Sequence, residues 1–197
     1  MKWPVVLLLG FGVFGLTHQA LAWVPTAVES RLLSRGQMIL DVKPDGASGL
    51  IRAGIDIDAP ASVVWQILVD CDLAPRLVPN LSTCRILERD PFGRFDVREH
   101  KSKSLFFMPS IRNVFRSDYN PPDRIRIRRV GGDMKVLEGE WSLVGLDNGS
   151  RTRALYEGRA TAPFSVPGPI VRLVLREQIG GGLIALRHEA QTVSTRP

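Results

Sequence analysis

The chain has 197 residues, of which 44% are hydrophobic and 23% charged, and 26 basic against 20 acidic residues give a formal net charge of +6. That balance excludes a disordered, low-hydropathy chain, and the length suits one domain with a sizeable core. A positive surface suits nucleic acid, anionic lipid or plain solubility, and the lack of a basic run interleaved with aromatics argues against nucleic acid.

Lys2 is the only charge before Glu29, Val5 to Leu16 is apolar apart from glycines, and Ala20-Leu21-Ala22 sets small residues where a signal peptidase reads. Those features in that order predict a secretory signal peptide over residues 1–22. The apolar run is shorter than the ~20 residues that span a bilayer, which disfavours an anchor. The mature chain is then exported, periplasmic in a bacterium and otherwise secreted. In an oxidising compartment Cys71 and Cys84 can form a disulfide across a short loop; two separate buried thiols are the other reading. Asn80-Leu81-Ser82 and Asn148-Gly149-Ser150 fit the glycosylation sequon, which matters only in a eukaryotic secretory route.

After a lead over residues 23–36, Gln37 to Val42 and Leu50 to Ile57 read as an opening hairpin around Lys43-Pro44-Asp45-Gly46. Asp58-Ala59-Pro60 starts a helix that ends near Asp70, and Asp72 to Pro79 suits a second short helix. Strand-like runs follow at Thr83 to Glu88, Gly93 to Lys101, Ile111 to Tyr119, Arg124 to Val130, Val136 to Leu146 and Arg151 to Ala162. Short turns between them predict an antiparallel meander. From Ile170 to Val193 the apolar residues Leu175, Ile179, Leu183, Leu186 and Ala190 step by three or four, as one helix face requires. Gly180-Gly181-Gly182 lies inside that pattern, where it either flexes or kinks the helix, and no Lys-Ser/Thr follows to make it a phosphate loop. The fold class is α+β, with one domain over residues 37–193 and a tail at 194–197.

Ile57-Asp58-Ala59-Pro60-Ala61-Ser62-Val63-Val64-Trp65, leading into Leu73-Ala74-Pro75-Arg76-Leu77-Val78-Pro79, resembles the start of the START-like superfamily. This is the polyketide cyclase/dehydrase and lipid-transport family, with its coenzyme Q-binding branch. Gly139-Glu140-Trp141-Ser142-Leu143, Thr152 to Ala160 and the closing helix look like the family's last elements. The resemblance implies a helix-grip fold: a curved antiparallel sheet wrapped around the C-terminal helix, with a cavity between them. It further implies a hydrophobic ligand such as a lipid, isoprenoid quinone, sterol or polyketide. Its alternative is a cyclase or dehydratase acting on an apolar, ring-forming substrate.

Strand alternation assigns candidate cavity residues. Ile125 and Ile127 oppose three arginines; Leu137, Gly139 and Trp141 oppose Glu138 and Glu140; Tyr156 and Gly158 oppose Glu157 and Arg159. The inner glycines either leave room for a ligand or let the sheet curve onto a solid core. Phe95 and Glu99 share one phase, as do Asn113 and Phe115, so Glu99 and Asn113 are either buried anchors for a ligand head group or strand-end residues in water. Leu175 and Ile179 complete the set from the helix. Phe106, Phe107 and Met108 form an apolar connection beside Lys101, Lys103 and Arg112, either a lid that touches a membrane or a cover for the core. His100 and His188 stand outside any nucleophile or metal-ligand pattern. A binder without cofactor or metal is therefore expected over an enzyme.

Overall fold

The computed structural model describes residues 23–45, 48–104, 109–163 and 167–195, so the expected signal peptide and the Phe106–Met108 connection lie outside the described residues. The lead that the sequence left unassigned holds a helix, α1 (Ala27–Ser34). Its start is a reciprocal cap: Glu29 N–H donates to Thr26 Oγ1 at 3.2 Å, and Thr26 N–H donates to Glu29 Oε2 at 2.7 Å. The Thr-x-x-Glu spacing that makes this cap was present in the sequence.

The hairpin β1 (Ile39–Asp45) and β2 (Ser48–Ile57) comes next, then α2 (Ala61–Val69) and α3 (Ala74–Leu77). These short helices carry the chain across to the far edge. From there β3 (Leu81–Arg89), β4 (Phe95–Ser102), β5 (Arg112–Asn120), β6 (Arg124–Gly132), β7 (Val136–Leu146) and β8 (Arg151–Thr161) meander back to β2. The result is one curved antiparallel sheet of eight strands in the order β1-β2-β8-β7-β6-β5-β4-β3. The long helix α4 (Gly168–Ser194) packs on β1 and β2 and on both short helices. This is the expected helix-grip arrangement.

Alternation along β2 sends Ile51, Ala53, Ile55 and Ile57 inward, where they meet Val64 of α2 and Leu183, Leu186 and Ala190 of α4. Each such large side chain, fully withdrawn from water, contributes about 1.5–3 kcal/mol. On the outer face α1 sits over β1 and β2, with Leu33 buried against Gly54. A Cβ at Gly54 would come within 2.9 Å of Leu155 and 3.6 Å of Leu33, so glycine is what allows the approach.

The triple glycine neither breaks nor bends into a gap: α4 is continuous through it. A Cβ at Gly181 would lie 2.9 Å from the Pro79 ring and one at Gly182 would lie 3.0 Å from the Leu77 carbonyl oxygen. These glycines bring the end of α3 close against α4. One covalent link fixes the same region, since Cys71 and Cys84 form a disulfide with their Cα atoms 5.5 Å apart.

Candidate ligand cavity

Between β3–β5, the end of β8 and the first half of α4 lies a cavity of about 260 Å³. Val78, Pro79 and Leu81 form one wall, Ile111, Met134 and Ala160 the sheet side, and Ile170, Val174 and Leu175 the helix side. Apolar side chains thus supply most of its surface. The polar exceptions cluster on β4 and β5, where His100 pairs across the strands with Asn113.

His100 has its place because the inward phase of β4 is Asp96, Arg98, His100 and Ser102. Asp96 and Arg98 are a buried ion pair, with side chains only 4% and 6% exposed. Arg98 also donates to Tyr119 Oη at 2.6 Å and to the Val69 carbonyl at 3.1 Å, and Tyr119 donates to Asp96 at 2.6 Å. Trp65 of α2 covers this cluster edge-on, 5.6 Å from the Tyr119 ring. A buried pair of opposite charges persists when its remaining hydrogen bonds are met in this way. Burial raises the Tyr119 hydroxyl well above its ordinary value. One step nearer the cavity, burial and then the positive charge of Arg98 lower the His100 imidazole to about 4, against an opposing pull from Asp96. His100 is therefore neutral at physiological pH.

Three buried side-chain atoms have no hydrogen-bond partner among the described residues, and two of them, His100 Nε2 and Asn113 Oδ1, belong to residues of this cavity. The third is Arg159 Nε, whose guanidinium reaches Asp45 through Nη2 at 2.8 Å. The His100 ring meets Phe115 edge-on at 4.8 Å.

The sequence-derived candidates divide. Asn113 and Leu175 line the cavity, and Phe115 lies on the inner face behind His100. Ile125 is buried on the inner face, paired with Trp141, and Ile127 pairs with Gly139, but neither lines the cavity. Leu137 pairs with Ala160, and Ile179 packs on the core cluster, also away from the lining. Tyr156 occupies the room expected at Gly139 and Gly158: a Cβ at either glycine would fall 2.5 or 2.6 Å from its hydroxyl. Trp141 packs beside that ring at 5.0 Å. The solid-core reading therefore holds for this part of the sheet, and burial pushes the Tyr156 hydroxyl up to about 12.

Phe95 and Glu99 require correction, because both are on the outer face. The Arg116 guanidinium lies 3.5 Å from the Phe95 ring centroid. Glu99 pairs with Arg85 at 3.2 Å and with Arg112, whose hydrogen bond holds its carboxyl below the usual range. Alternation was right in period and wrong in phase, since Phe95 and Val97 looked more apolar than the neutralised Asp96–Arg98 pair. His100, Met134 and the α3–β3 corner at Val78 to Leu81 were missed, while Ala160 lines the cavity from the inner phase that alternation assigns to β8. The signal available for His100 was its shared phase with two opposite charges able to cancel each other.

Among the described residues no group of three His, Cys, Asp or Glu side chains is placed to hold a metal ion. No described helix is long and apolar enough to cross a membrane.

The sequence profile for polyketide cyclase/dehydrase and lipid transport proteins matches residues 57–187. The chain belongs to that family. Solved structures agree on the fold of this polyketide cyclase/lipid-transport family member. A START superfamily protein from Mycobacterium smegmatis superposes with a TM-score of 0.63 at 21% identity, covering 73% of this chain and 98% of that one. A STAR-related lipid transfer protein from Xanthomonas axonopodis gives 0.61 at 16% identity, covering 77% and 98%. An aromatase/cyclase from Streptomyces sp. R1128 gives 0.59 at 17% identity, covering 76% and 94%. No curated protein matches this chain in sequence. The family and the fold support hydrophobic ligand binding.

Proposed function

We propose that this family member is an exported carrier that holds an apolar small molecule between its sheet and α4. The observation that carries this reading is the cavity of about 260 Å³ with apolar walls on three sides. Its volume falls just below the usual range for sites that enclose drug-sized ligands, so the occupant is compact. Export is supported by the charged start, short apolar run and Ala20-Leu21-Ala22 of the first 22 residues, and by the Cys71–Cys84 disulfide, which suits an oxidising compartment. Peripheral membrane contact is supported by the first turns of α4, where Ile170 and Leu173 are exposed apolar side chains with Arg172 and Arg176 beside them.

The test is native mass spectrometry of the chain purified from its host, followed by solvent extraction. The expected result is one apolar molecule per chain, released by unfolding. Empty protein that also fails to take up any apolar probe would defeat the carrier reading.

A second reading has one observation in its favour. His100 lines the cavity and burial keeps its imidazole neutral, so a ring-closing substrate would find one group able to accept a proton there. Turnover of such a substrate, abolished by His100→Phe, would move the assignment from carrier to cyclase.

A further inference from the structure

We propose that the Cys71–Cys84 disulfide holds one wall of the cavity in place, so that a dithiol reductant, by opening it, loosens the chain's grip on its cargo; this rests on the reading of the cavity as a ligand site. The sheet side and the helix side of the cavity belong to regular elements. The remaining wall differs. Val78, Pro79 and Asn80 lie in the connection between α3 and β3, and Leu81 is the first residue of β3. All of these line the cavity, and all fall inside the loop that the disulfide closes, its cysteines 13 positions apart in sequence. Val78 is 37% exposed, so this wall stands at the surface and not deep in the fold.

The ties at the two ends of the wall are unequal. On its α3 side Ala74 and Leu77 are buried, and Gly181 and Gly182 let Pro79 and the Leu77 carbonyl come close against α4. On its β3 side Leu81 is buried, but its strand is a border of the sheet, hydrogen-bonded to β4 alone, with a register irregularity between Leu81 and Thr83. The Lys103 N–H donates to the Asn80 carbonyl at 2.7 Å and steadies the turn between them. The disulfide adds what the border strand lacks: it fastens Cys84 of β3 to Cys71, just past the end of α2. A surface segment on a one-sided strand is where a fold opens locally, and losing a crosslink there frees the segment while the core stays folded.

Both cysteines are half-buried, so a small dithiol reaches their sulfurs. One thiolate of the reductant attacks a protein sulfur, its second thiol resolves the mixed disulfide, and the reductant leaves as its own disulfide. Cys71 and Cys84 together take up the electron pair and the protons that the reductant gives up. Release follows from population: cargo that needs the wall closed loses affinity in proportion to the time the wall spends open.

The probe is para-butyltoluene, a single ring with a short chain that suits about 260 Å³, titrated calorimetrically into the full chain after delipidation. Dithiothreitol is the reductant, and alkylation of Cys71 and Cys84 measures how far it has acted. Reduction is expected to weaken probe binding at least about tenfold, the effect of a wall in place about a tenth of the time. The circular dichroism of the fold should persist. In hydrogen exchange the Leu81 and Lys103 amides, which bond to Val78 and Asn80, should lose protection while Ile55 in β2 stays protected. The double variant Cys71→Ser, Cys84→Ser should bind as weakly as the reduced chain, with or without dithiothreitol; should it fail to fold, reduction after folding carries the test alone. Equal binding by the oxidised and fully reduced chains would overturn the role given to the disulfide and leave the carrier reading standing. So would resistance of the folded disulfide to dithiothreitol, or weaker binding found only where Ile55 also loses protection. No probe binding by the oxidised chain would overturn both.

Discussion

The two halves of α4 look onto different interiors. Its C-terminal half buries Leu183, Leu186 and Ala190 against β2 and α2, and the sheet nearby is filled by Tyr156 lying over Gly139 and Gly158. Its N-terminal half presents Val174, Leu175 and Gln178 to the cavity, across from the β4–β5 wall whose inward side chains include Asp96, Arg98, His100 and Asn113. Glycines and empty space therefore do not coincide. Where the sheet is glycine-rich, a neighbouring aromatic ring uses the room; where it carries polar groups, those groups satisfy one another or turn toward the cavity. The few polar residues on β4 and β5, not the glycines, mark the site.

The largest effect is expected on the solid side. Tyr156→Ala removes a ring that is 8% exposed and leaves a void above two glycines, at a cost of about 3–5 kcal/mol measured by urea unfolding. A loss below about 1 kcal/mol would mean that this half is as loosely packed as the other, and the contrast would fail.

On the cavity side the sensitive variable is pH. His100 titrates at about 4 in the fold and near its ordinary 6.5 in the unfolded chain. Below 6.5 the unfolded chain takes up a proton that the folded one refuses, so stability falls as pH drops from about 6.5 to 4 and this contribution levels off below that. The expected loss is roughly 3 kcal/mol. His100→Gln should lack that component, so unfolding measured at pH 7 and pH 4 should show a smaller acid loss in the variant than in the parent. Parallel pH profiles would place His100 in water and dissolve the polar wall.

The smallest effect belongs to the outer face, the control for both halves. Arg126 is 60% exposed and pairs with Glu140 at 3.0 Å, so Arg126→Ala should cost under about 1 kcal/mol and leave probe binding unchanged. A change in ligand affinity there would show that the outer ladder shapes the cavity.

The sequence made most of the fold legible because its signals were local. Asp58-Ala59-Pro60 opens α2, Asp147-Asn148-Gly149 turns β7 into β8, and alternation through β6 to β8 places Ile125, Trp141 and Tyr156 inward as observed. The site was less legible because its residues depend on pairing. Asp96 and Arg98 can face inward only because they meet each other and Tyr119, a relation spread over two strands. Likewise, the choice between ligand space and solid core at Gly139 is decided only once register sets Tyr156 of β8 over it. The α1 helix was a different kind of omission, since the Thr26–Glu29 cap was readable from residue types alone.

The sheet is open, and that carries a consequence for how copies of the chain meet one another. β1 and β3 are its two borders, and an unpaired strand border is a template on which a second chain can add. Each border is built against such addition. β1 carries Asp41 and Lys43 and includes Pro44, which has no amide proton to offer. β3 shows register irregularities between Leu81 and Thr83 and between Ile86 and Glu88, and it carries Arg85, Glu88 and Arg89. A chain whose fold encloses an apolar cavity gains from borders that refuse to grow into fibrils, whatever that cavity holds.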